Sequence, residues 1–208
     1  MKIRIALMAA IAATALTGTS MAASLSDVVQ KGAMAERVKE KNQINLATAR
    51  AIGDHCLNAA AAKGMGVSVV IVDQFGIITY YVRADGQGKA NTETALMKAK
   101  TVLNTRAPSK AVMNAVRSGA QSESRAISFG NFANAGALPI VVEGQFLGAI
   151  GVGGMAATPG VWSDEICGHN ALTAVLGPQP ALLPDLPNPY AVTAGGGAGA
   201  RPPGAANN

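Results

Sequence analysis

The reactive chemistry of this chain concentrates in two histidines and two cysteines, which fall as neighbours: His55 beside Cys56, and His169 two residues after Cys167. A neutral imidazole can ligate a metal ion or heme iron, so both histidines are candidate metal or axial ligands. The plainer reading of each, a partly buried or surface side chain, is favoured, because no second ligand stands at a metal-site spacing. Cys56 and Cys167 each fall on an apolar helical stripe. They are a candidate disulfide if the protein is exported, or two small buried hydrophobes on separate helices. A Cys/His nucleophile is disfavoured, since apolar surroundings raise a thiol pKa. Arg83-x-Asp-Gly86 offers a guanidinium for an anion beside a glycine that lets backbone approach, or simply a polar strand end. There is no Gly-x-Ser-x-Gly elbow, no Cys-x-x-Cys-His and no phosphate loop, so no catalytic residue is assigned.

These residues need a scaffold, and the apolar pattern supplies one. Ile44 to Lys63 has helical period, with Ile52, Cys56, Ala59 and Ala60 on one stripe and Gly64 and Gly66 ending it. Val67–Asp73 is almost wholly apolar, as expected of a strand covered on both faces. Asp73-Gln-Phe-Gly76 turns it into a second strand, Ile77–Arg83. Helices follow over Thr92–Thr105, with Lys98 and Lys100 expected in solvent, and from Pro108 to about Arg117. Residues 118–137 read as a long loop carrying Phe129 and Phe132, a length often associated with function. A second hairpin turns at Glu143-Gly144-Gln145, and Ser163-Asp-Glu165 opens the last helix. Gly148, Gly151, Gly153 and Gly154 leave the strand before that helix bare, open to a ligand or to another backbone. Lacking a lysine, that run is no nucleotide cradle, and no nucleotide cofactor is expected.

The ends of the chain differ from its middle. Residues 1–23 show a charged start with Lys2 and Arg4, an uncharged apolar run and small residues before Ala23, as in a secretory signal. The run is too short for a membrane span, so no membrane association is expected after cleavage. Residues 24–43 read as an arm or short helix, 44–176 as one domain, and 177–208 as a Pro/Gly-rich disordered tail holding seven of the ten prolines. Leu182, Leu183 and Tyr190 could still dock part of that tail. The net charge of +5 falls to about +3 without Lys2 and Arg4. With dispersed positive residues and few aromatics, nucleic-acid binding is not expected.

Several of these pieces stand together in a recognisable order. Val69-Val-Ile-Val-Asp73, Arg83-x-Asp-Gly86, Lys98-Ala99, Ala137-Leu-Pro-Ile140 and Gly148-Ala-Ile-Gly-Val-Gly-Gly154, then Asp164-Glu165, resemble the GlcG/HbpS heme-binding-protein family over about 44–176. The resemblance implies a profilin-like α/β (α+β) domain: an antiparallel sheet of two hairpins flanked by helices, in the order α-ββ-αα-ββ-α. It also implies assembly into homo-oligomers. Members that resemble this chain include an exported heme binder that interacts with a sensor kinase and proteins encoded with glycolate oxidation. Another relative is fused to a corrinoid adenosyltransferase. A threonine implicated in heme contact in the exported binder falls at Ala107-Pro-Ser-Lys110, making Ser109 the matching hydroxyl. An acidic iron-binding motif of that relative has no match here, where Leu96 and Met97 stand.

The expectation is therefore a periplasmic or secreted non-covalent binder of heme b or a related tetrapyrrole, rather than an enzyme. Its role would be scavenging, buffering or sensing, with a sensor protein as a possible partner. Arg83 would meet a propionate, and Phe129, Phe132 and Met155 would cover the macrocycle. Ser109, His55, His169, Gly153 and Gly154 would line the rest. The alternative is an enzyme or accessory factor for a small organic acid, with its pocket built from the glycine strand, Arg83 and Asp164/Glu165.

Overall fold

The computed structural model describes residues 43–155 and 162–187. The signal segment at 1–23, the arm up to residue 42, Tyr190 and the tail beyond 187 lie outside the described residues. Nine elements occur among the described residues: α1 (Leu46–Ala61), β1 (Ser68–Asp73), β2 (Ile78–Arg83), α2 (Lys89–Thr105), α3 (Ser109–Arg117), α4 (Glu123–Ser128), β3 (Ala137–Val142), β4 (Gln145–Gly153) and α5 (Asp164–Leu176). The order matches the sequence pattern with one addition. The stretch expected as a loop at 118–137 contains α4, capped by the Ser122 hydroxyl, which accepts from the Arg125 amide.

The four strands form one antiparallel sheet in the order β2-β1-β4-β3. Each outer strand belongs to a hairpin, and the hairpins join through β1 and β4, where Ser68 faces Gly153 and Asp73 faces Gly148. The second hairpin turns on Glu143 and Gly144, both at positive φ, as a two-residue loop between twisted strands requires. In the first, Asp73 Oδ1 accepts from the Phe75 and Ile77 amides and so fixes the turn.

Alternation along the central strands sends side chains to two different layers. Val69, Ile71, Ile150 and Val152 pack with Leu138 and Ile140 under α1 and α5, against Ile52, Cys56, Cys167, Ala171 and Leu172. Val70 and Val72 face α2 instead, with Ala95, Ala99, Val102, Ala137 and Ala149. All six residues of β1 are buried, as a strand covered on both faces demands. The α2 side is built from alanine and glycine, and this lets the helix sit very low. A Cβ at Gly151 would collide with the Ala95 carbonyl oxygen, and one at Gly153 with that of Asn91. The bare strand is thus filled by helix backbone, the second of the two approaches its glycines permit.

A disulfide joins Cys56 on α1 to Cys167 on α5, with Cα atoms 5.2 Å apart. The two helices are neighbours on one sheet face, the geometry such a bridge needs. It closes a loop of 111 residues, and removing a native bridge of this kind costs about 2–5 kcal/mol. Thermal melts with and without reductant should therefore differ by several degrees, and the Cys56→Ala/Cys167→Ala protein should melt like the reduced form. Coincident melts would mean the bridge contributes nothing.

Candidate functional site

The first turn of α5 is where charge enters the core. Ser163 caps the helix by accepting from the Ile166 amide, and Asp164 and Glu165 follow at its positive end. Both are buried, and each meets a lysine from another helix. Lys98 of α2 lies 2.7 Å from Asp164 Oδ2 and also donates to the Val152 carbonyl at 3.0 Å. The Met155 amide donates to the other oxygen, Asp164 Oδ1, at 2.9 Å. Gly136, at φ +123°, makes room: a Cβ there would stand 2.8 Å from Asp164 Cβ and 2.9 Å from Lys98 Nζ. Lys110 of α3 pairs with Glu165 Oε2 and, at 2.8 Å, with Asp185. Lys98 was expected in solvent; it is 3% exposed, because its stem crosses the low-lying edge of α2 to reach Asp164.

Burial sets the electrostatics of these acids. It pushes the Asp164 carboxyl above its ordinary value, with Lys98 and the Met155 amide pulling part of the way back. Burial raises Glu165 in the same way, against the opposing hydrogen bond and charge of Lys110. For Lys110 burial acts downward, but hydrogen bonds to Asp185 and Glu165 outweigh it and raise the ammonium.

The residues singled out from sequence fall in several places rather than one. Arg83 ends β2 and is exposed, donating from Nη1 to the Gln87 carbonyl at 3.2 Å. Gly153 and Gly154 lie at the same end of the sheet, two strands away from Arg83. There the Gln87 side chain occupies the space a Cβ on Gly154 would enter, with Oε1 2.6 Å from it. Gln87 Oε1 in turn accepts from Asn91 at 2.6 Å, so this end is packed and internally satisfied. His55 stands exposed on the outer side of α1. Phe129 is 66% exposed after α4, and the Phe132 amide is pinned to Thr101 Oγ1 at 2.7 Å. Met155 packs against the α1/α5 core. The organic-acid pocket does not assemble either: Asp164 and Glu165 are consumed by lysines, and Arg83 lies away from them on the edge strand.

One of the candidates, His169, does line a pocket. His169 and Pro108, the residue before Ser109, line one pocket with Leu138, Pro139, Leu172 and the segment Gln179–Leu182, enclosing about 130 Å³. The walls are apolar apart from His169 and Gln179. Ser109 is fully buried and accepts from the Ala137 amide at 3.1 Å, tying α3 to the start of β3. His169 Nε2 is 3.0 Å from the Pro180 carbonyl oxygen. The sequence placed 177–187 in a disordered tail that Leu182 and Leu183 could dock in part, and the segment packs back on the body instead of trailing away. Leu182 against the core and the three chain carbonyls held by α3 are what fix it there.

With this geometry in place the known relatives can be set beside it. The family model described as "Haem degrading protein HbpS-like" matches residues 44–172, nearly all of the packed body. The chain belongs to the HbpS-like family. A crystal structure of HbpS is 29% identical, with a TM-score of 0.57, covering 72% of this chain and 99% of that one. An HbpS double mutant from Streptomyces reticuli is 28% identical, at TM-score 0.56, covering 76% of this chain and 99% of the other. A PduOC–heme complex shares the fold at 18% identity and TM-score 0.58, covering 64% and 96%. No curated protein matches the chain. The four-stranded antiparallel sheet between helices is thus the profilin-like arrangement of the HbpS-like proteins.

Replacing Lys98 by Met should strand Asp164 as a buried, unpaired carboxylate, at a cost of about 3–5 kcal/mol. The double variant Lys98→Met/Asp164→Leu should regain part of that loss in urea unfolding, and equal midpoints for single and double variants would refute the pairing. The pH dependence has two signs. Lys110, raised above 10.5, contributes stability that is fully present below that value and lost as pH climbs through its folded pKa. Asp164 and Glu165 are raised acids, so the folded state takes up their protons first as pH falls. Acid unfolding should therefore owe nothing to these two, while alkaline unfolding beyond about pH 10.5 should be blunted in Lys110→Met, as read from melts across pH.

Proposed function

We propose that the protein is an exported, non-covalent binder of heme or a related tetrapyrrole, serving scavenging, buffering or extracytoplasmic sensing. The family supplies the ligand class: the matched model describes haem-degrading proteins and covers the packed body. One observation on this chain carries the site assignment. Of its two histidines, His169 lines an apolar pocket beside the start of α3, whereas His55 stands on an exposed helix face. An imidazole set in apolar walls has the donor chemistry that iron accepts.

The volume is a different matter. About 130 Å³ is well below the roughly 300–1,000 Å³ of sites that hold drug-sized ligands, so the pocket in its closed form does not accommodate a macrocycle. Ser109, buried behind the pocket wall, supports this site by fixing α3 to β3.

Export is supported by the signal-like residues 1–23 and by a disulfide suited to an oxidising compartment. No helix among the described residues is long and apolar enough to cross a membrane. Assembly into a homo-oligomer, or docking to a sensor protein, is supported by Phe75, Ile77, Ile78 and Tyr81, exposed along the first turn and the edge strand β2. Intact mass and light scattering on protein recovered from the periplasm check both points; a retained residue 1 with a monomeric mass would remove them.

Hemin added to the purified protein should give a saturable Soret shift at micromolar concentration. His169→Ala should abolish it or weaken binding at least about tenfold, while His55→Ala should leave it unchanged. A full Soret shift in the His169→Ala protein would move the site elsewhere.

A further inference from the structure

The pocket of about 130 Å³, small for a haem protein, has one wall that the family match does not cover. Residues 177–187 leave α5 at Gly177 and run back over α3 without helix or strand. Gln179, Pro180, Ala181 and Leu182 form one wall of the His169 pocket, and Leu182 rests on the main core. This segment lies beyond residue 172, where the family match ends.

What holds the strap is a ladder of donors on α3. Lys110 Nζ donates to the Leu183 carbonyl at 3.1 Å, Asn114 Nδ2 to Pro184 at 3.0 Å and Arg117 Nη1 to Leu186 at 3.0 Å. Their spacing of four and then three residues places all three on one face of the helix. Asp185, 47% exposed, adds its ion pair to Lys110. Pro180, Pro184 and Pro187 favour an extended chain whose carbonyls point outward, which suits such a ladder.

The strap also engages the imidazole. A carbonyl oxygen only accepts, so in the contact with Pro180 the Nε2 of His169 carries the proton and its lone pair is not on offer. The same segment thus narrows the pocket and occupies its one nitrogen facing that wall. Mostly polar, partly exposed ties to an irregular segment belong to the low-stability end of a fold, where local opening occurs without global unfolding.

We propose that residues 177–187 are a displaceable lid on the His169 pocket, whose release widens the pocket and frees Nε2 for a planar ligand. The ligand named here rests on the heme reading, whereas the gating stands on the strap contacts alone.

The test uses the whole protein carrying Asn114→Ala and Arg117→Ala, two side chains that touch the strap and not the pocket. Diethyl pyrocarbonate acylates accessible imidazoles, and His55, exposed on α1, is an internal reference. His169 should be acylated at least about fivefold faster in the variant, the effect of losing two modest hydrogen bonds, with His55 unchanged. Hemin should also associate faster. Should the double variant not fold, Asp185→Asn loosens the same strap from its exposed side. An unchanged His169 rate in a variant that melts like the parent overturns the lid. Faster acylation with no hemin binding in either protein keeps the lid and discards heme as its ligand.

Discussion

Helix α2 rests its backbone on β4 at Gly151 and Gly153, and that contact decides how far Lys98 can reach. With Ala95 and Ala99 against the sheet, Lys98 sits low enough for its ammonium to pass the strand and meet Asp164 and the Val152 carbonyl. A side chain at either glycine would lift the helix, since its Cβ would meet main-chain oxygen rather than a movable side chain. Lifting α2 would draw the lysine away from a carboxylate that is almost wholly buried. The glycine strand is therefore a seat for a helix, and through it a constraint on charge.

That constraint propagates to the pocket. Lys98 and Lys110 come from different helices and grip successive residues, Asp164 and Glu165, in the first turn of α5. One turn further along, Cys167 is bridged to α1 and His169 faces the pocket. Buried ion pairs give little net stability against apolar substitutes, but they penalise every register that leaves a charge unmatched. The two lysines thus set the rotation of α5 about its axis, and with it the direction in which His169 points. Lys110 then reaches outward to Asp185 and the Leu183 carbonyl, so the same side chain serves the buried register and the strap.

Much of this architecture was legible in the residues. The two hairpins, the positive-φ turn at Glu143-Gly144 and the cap at Ser163 follow from local rules, and all three stand where those rules put them. The family resemblance holds over the matched body. Lys98 was not legible, because helical periodicity assigns a lysine off the apolar stripe to solvent. It carries no information about an acid five elements later in the chain. Residues 177–187 were legible only in part: Leu182 marked a docking point, but α3 holds the segment through its carbonyls, which have no side-chain signature. Arg83, Gly153 and Gly154 did gather at one sheet end, yet the space between them is filled by Gln87, a residue with no motif of its own.

The arrangement separates what the family provides from what this chain controls. Pocket walls at Pro108, Leu138, Pro139, His169 and Leu172 all lie within the matched residues. The remaining wall and the partner of Nε2 lie outside them. An imidazole whose proton is held by a carbonyl is a donor in that contact, and it becomes an acceptor at the same nitrogen only after the carbonyl leaves. Volume and the role of Nε2 thus change together when one segment moves. A lid built this way couples access to ligand chemistry at a single point, without altering any other wall of the pocket.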